Sequence, residues 1–114
     1  GDRPMITRFA LFEGSVSPGQ TDAFRAAVRE RLVPLWTQFP GQTDVRVMFG
    51  EDRDEGAPEF PLILAIRYPD TATMSAALDS PARQLSKTVT GEILDAYFDG
   101  RVHHHVTERH DVSV

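Results

Sequence analysis

Hydrophobic and polar positions alternate along this chain with two different periods, and the switches between them predict its elements. From Met5 to Glu13, an extended strand would carry Ile6, Ala10 and Phe12 on one side and Phe9 and Leu11 on the other. Turn chemistry follows at Gly14-Ser15 and Ser17-Pro18-Gly19-Gln20, after which Thr21 or Asp22 is placed to cap a helix. Phe24, Val28, Leu32, Leu35, Trp36 and Phe39 then recur at helical spacing, with Arg25, Arg29 and Glu30 opposite. Pro34 lies inside that pattern. It has no N–H to donate and its ring meets the carbonyl four residues back, so a kink or break is expected before Leu35-Trp36. Pro40-Gly41 should end the element.

Val45, Val47 and Phe49 alternate with Asp44, Arg46 and Met48, the period of a half-buried strand. The acidic stretch from Gly50 to Glu59 reads as an exposed loop, and Pro61 to Tyr68 as a further strand. Asp70 should cap a short helix through Met74, Ala77 and Leu78. Ser80-Pro81 supplies a second cap with proline at the first helical position. The helix that follows carries Leu85, Val89, Ile93, Leu94 and Tyr97-Phe98 on its apolar side, and Gly100 is expected to end it before a last strand from Arg101 to Asp111.

The order strand, helix, strand, strand, helix, strand predicts an α+β fold. Its simplest form is a ferredoxin-like βαββαβ plait, with a four-stranded antiparallel sheet and both helices on one face. If the other face met water, the strands would alternate cleanly. They do not, because Ile63 and Ala65 oppose Leu62, Leu64 and Ile66. A homodimer through the open sheet face would cover the second apolar side; the alternative is that a few apolar residues stay exposed.

Composition narrows the function classes. The chain of 114 residues reads as one soluble domain over 5–111, with 1–4 as a tag remnant or disordered N-terminus. With 17 acidic against 12 basic residues and scattered arginines, it should repel phosphate backbones, so no nucleic-acid partner is expected. No apolar run approaches the roughly 20 residues that span a bilayer, so no membrane partner is expected either. The absence of cysteine removes thiolate catalysis and zinc–thiolate sites, and fits a cytoplasmic location. Phosphate loops, dinucleotide fingerprints and nucleophile elbows are missing from the sequence.

Several segments resemble those of the dimeric α/β-barrel superfamily, and within it the EthD-like proteins. They are Val33-Pro34-Leu35-Trp36, Tyr68-Pro69-Asp70 leading to Ala77-Leu78-Asp79-Ser80-Pro81-Ala82-Arg83, and Tyr97-Phe98-Asp99-Gly100-Arg101-Val102. The resemblance runs from about Met5 to His110 and implies a fold more than an activity. The superfamily includes cofactor-free monooxygenases, isomerases, polyketide cyclases, haem-handling proteins and stress-responsive proteins.

His103-His104-His105 is the most unusual local feature. On a strand, His103 and His105 share one face, while His104 joins Val102 and Val106 on the other. The three can be read as acid–base groups, as a metal pair completed by His110 or Glu108, or as hydrogen-bonding groups at a dimer edge. Of these, His104 is the first choice for proton handling, because its apolar neighbours can tune an imidazole. Arg8 and Arg67 could hold a carboxylate or enolate, or could form salt bridges. Trp36, Phe39, Tyr68 and Tyr97 are candidate cleft walls or plain core.

The sequence thus predicts a small enzyme acting on a compact aromatic or polyketide-like metabolite, by proton transfer or oxygenation without a bound cofactor. A non-catalytic dimeric ligand-binding or stress-response module, its cleft filled by side chains, is the alternative.

Overall fold

A computed structural model describes residues 5–113; the proposed N-terminal remnant at 1–4 lies outside them. The elements are β1 (Ile6–Val16), α1 (Thr21–Ala27), a π-helical segment (Val28–Leu32), α2 (Val33–Trp36), β2 (Asp44–Phe49), β3 (Leu62–Tyr68), α3 (Thr71–Leu78), α4 (Pro81–Tyr97) and β4 (Phe98–Glu108). The four strands form one antiparallel sheet in the order β2-β3-β1-β4, so β1 and β3 are the central strands and β2 and β4 the edges. This is an α+β ferredoxin-like plait.

Register decides which side chain faces which layer. Ala10 pairs with Leu64 on β3 and with His104 on β4; Phe12 pairs with Leu62 and Val102. These even-numbered residues of β1, β3 and β4 face the helices, and most of the buried core belongs to that layer. Phe24, Leu32, Leu62, Tyr68, Ile93 and Val28 are its most enclosed large side chains. Phe98 ties the layers together, stacked on Phe24 at 5.7 Å and edge-on to Phe12 at 6.4 Å between ring centroids. The opposite face carries Phe9, Leu11 and Ile63, all half-buried, with Met48 exposed.

Pro34 does not break the first helix; the chain widens into a π turn ahead of it. The Val33 N–H donates to the Val28 carbonyl, five residues back rather than four. Buried residues recur at Phe24, Val28, Leu32 and Trp36, a strict four-residue spacing. In a pure α-helix that spacing drifts about 40° around the axis at each step. The wider turn rotates each residue less and holds the stripe closer to the sheet. The start of this helix differs from expectation as well: Gln20 is the N-cap, and neither Thr21 nor Asp22 supplies a side-chain cap.

The two later caps are as the sequence predicts. Asp70 accepts from the Thr73 N–H at 2.7 Å, and the Ser80 hydroxyl accepts from the Arg83 N–H at 3.2 Å. The end of α4 is different. Gly100 does not stop the helix, which passes directly into β4 at Phe98. Gly100 instead pairs with Gly14 across the β1–β4 ladder. A Cβ on either glycine would collide with backbone of the facing strand, and Gly14 has a φ of 147°, so side-chain-free residues allow this close approach. Leu85 also departs from the expected apolar stripe: it is 52% exposed, while Ser86 is buried in its place.

Candidate functional site

A cavity of about 280 Å³ opens between α4, α2 and the helix-facing side of the sheet. Two small residues make room for it. Ala10 leaves the middle of β1 low between Arg8 and Phe12, and Gly91 leaves a gap on α4, where an added Cβ would meet nothing within 4 Å. The walls are mostly apolar: Phe12, Trp36, Phe39, Leu64, Ile66 and Leu94. Most of its exposed wall is apolar, the usual character of a small-molecule site, and its size lies just below the roughly 300–1,000 Å³ range of such sites.

The fold brings five of the sequence-predicted residues to this cavity, namely His104, Arg8, Tyr68, Trp36 and, just beyond the first helix, Phe39. Each arrives by the parity of its element: Arg8, Tyr68 and His104 occupy helix-facing positions of β1, β3 and β4, and Trp36 ends the first helical stripe. The remaining predicted residues stand elsewhere. His103, His105 and Arg67 are on the open sheet face, because each is one residue out of phase. Tyr97, half-buried, packs against the core at the end of α4 and does not line the cavity.

On the open face the His103 Nε2–H donates to the Glu13 carboxylate at 2.7 Å. That bond, helped by Arg101, holds the Glu13 carboxyl below its usual range. Arg67 Nε donates to Thr43 Oγ1 at 3.4 Å. His110 Nε2–H donates to Glu108 Oε2 at 2.8 Å, and among the described residues no three histidine or acidic side chains assemble into a metal-holding group.

The cavity has distinctive electrostatics. His104 keeps one flank exposed on the edge strand and turns the other to the cavity. Loss of water on that flank pushes its pKa down to about 4, and the positive charges of Arg8 and Arg83 and the nearby His103 act in the same direction. The solvent-facing flank screens part of the charge effect. The imidazole is therefore neutral near pH 7, free to accept a proton. Burial pushes the Tyr68 phenol up, so it stays protonated and able to donate. Burial, and then the Arg83 charge, lower the Arg8 guanidinium from its usual range.

Sequence reasoning missed the α4 side of the site, where Arg83, Ser86, Lys87, Thr90 and Gly91 line the cavity. The signal was present. Positions 83, 87, 90, 91 and 94 share one helical face, and a glycine in mid-helix costs about 1 kcal/mol relative to alanine, so it calls for a reason.

No family model and no curated protein matches the sequence. Structural likeness is extensive. An ethyl tert-butyl ether D (EthD) family protein from Bacillus halodurans superposes with a TM-score of 0.75 at 20% identity, covering 93% of this chain and 99% of that one. A dimeric ferredoxin-like protein of unknown function from Thermobifida fusca gives 0.64 at 14% identity, covering 94% and 92%. SnoaB, a cofactor-independent oxygenase from Streptomyces nogalater, gives 0.62 at 16% identity over 98% and 97%. The chain has an EthD-like ferredoxin-like fold.

Proposed function

We propose that this protein is a small enzyme that moves a proton on a compact aromatic or polyketide-like metabolite held in the helix–sheet cavity. His104 takes the proton. The observation that carries this reading is a neutral imidazole on the rim of an apolar cavity that also receives a guanidinium and a phenol. The unprotonated ring nitrogen abstracts a proton from an acidic C–H or phenolic O–H, and the electron pair moves onto the substrate oxygen. Arg8 and the Tyr68 hydroxyl are the groups that would hold that oxygen as its charge develops. Returning the proton at another atom completes an isomerisation or cyclisation. Reaction of the resulting carbanion or phenolate with dioxygen is the cofactor-free oxygenation of the same site, a reading favoured by the likeness to SnoaB, a cofactor-independent oxygenase.

A homodimer through the open sheet face belongs to the same proposal. Phe9, Leu11 and Ile63 give that face its apolar character, and the Thermobifida fusca neighbour is dimeric. The rival reading, a non-catalytic binding module with a filled cleft, is disfavoured by a solvent-connected cavity that carries both a histidine and an arginine.

The test is hydrogen exchange into enolisable ring ketones and phenols in deuterated water, followed by NMR. The enzyme should accelerate exchange, and His104→Gln should slow it by roughly 10²- to 10⁴-fold. Binding without exchange would favour the rival.

A further inference from the structure

We propose that the natural ligand is a ring acid whose carboxylate is received by Arg8 from β1 together with Arg83 and Lys87 from α4. This rests on the cavity being the ligand site and names the class of molecule it takes. All three cations line the cavity, and no carboxylate is among its lining residues. In a chain of net charge −5, that separation of charge is not what chance placement would give.

Among the described residues, Arg8, Arg83 and Lys87 form no ion pair. One acid of α4 and one of β1 are engaged elsewhere. Glu92, on the same helix, pairs with Arg31, and Glu13 pairs with His103 and Arg101 on the far face of the sheet. The hollow on that far face makes the contrast plain. Arg46, Arg67 and Arg109 line it, but Asp44 pairs with Arg46 at 2.8 Å and Asp111 with Arg109 at 2.7 Å. There two of the three arginines are paired with acids of the chain and Arg67 donates to Thr43; in the helix–sheet cavity all three cations are left for a ligand.

A half-buried guanidinium without a counterion has lost hydration without gaining a partner. An incoming carboxylate supplies that partner, and the planar fork of Arg8 or Arg83 suits it bidentately. Trp36, Phe39 and Leu94 then offer apolar wall to the ring. The same anion offsets the positive field that adds to burial in keeping His104 deprotonated, so its charge favours the protonated form of the residue that must take a proton. Binding and activation are thereby linked.

The test is calorimetric titration of the intact protein with benzoate, salicylate and naphthoate, each beside its neutral carboxamide. The acids should bind roughly tenfold or more tightly than the amides. Arg83→Gln and Lys87→Gln should each remove much of that preference, weakening acid binding more than amide binding. Amides that bind as well as acids, with no effect of either substitution, would overturn the anion proposal and leave the cavity reading intact. Failure of both acids and amides to bind would overturn both.

Discussion

His103 and His104 are adjacent in sequence yet serve opposite faces of β4: His103 is hydrogen-bonded to Glu13 on the open face, and His104 looks into the cavity. The single-residue alternation of a strand separates a paired imidazole from one available for chemistry.

Stability should fall on acidification through His104. The folded imidazole binds its proton less readily than the 6.5 of a free side chain, so the unfolded chain is protonated first. That contribution is complete above about 6.5 and is lost as the pH falls toward about 4. Glu13, held below its ordinary 4.5, loses its own contribution further down, as the pH falls through its folded value. Thermal midpoints measured across this range should flatten between about 6.5 and 4 in His104→Gln and keep the steeper fall below.

Core substitutions should separate the enclosed stripe from the exposed one. Phe24→Ala, at a residue only 1% exposed, should cost about 3–5 kcal/mol in urea denaturation. Leu85→Ala, at a residue 52% exposed, should stay within about 0.5 kcal/mol.

Gly91 offers a way to trade binding for stability. It is helical, with open space where a Cβ would stand. Gly91→Ala should stabilise the fold by about 0.5–1 kcal/mol. Gly91→Leu should fill the cavity and abolish ligand binding with the fold retained, measured by denaturation and calorimetry on the same samples.

Much of the fold was legible because periodicity reports layers directly. The strict alternation of Val45, Val47 and Phe49, and the caps at Asp70 and Ser80, follow from local chemistry that tertiary structure had no reason to override. Pro34 was visible as a disturbance, but its resolution as a π turn depends on the sheet beneath Leu32 and Trp36. The junction at Phe98 was hidden because Gly100 serves a close strand pairing, which looks in sequence like a helix stop. Within the site, the strand residues Arg8, Tyr68 and His104 could be placed by parity. Arg83 and Lys87 could not, since a polar helix face reads alike whether it meets water or a ligand cavity.

Covering the open face should depend on its central apolar residues. Ile63→Asp introduces a charge into the middle of β3's open side, opposite Leu11 and beside Met48. Sedimentation at micromolar concentration should show a dimer for the parent protein and a monomer for this variant, with the far-ultraviolet spectrum unchanged.

The most direct measurement is histidine-selective NMR during titration with a ring carboxylate such as salicylate. The account predicts saturable shifts of the His104 ring signals, and His103 signals that stay in place beside Glu13. Saturable binding that leaves His104 unmoved would contradict it.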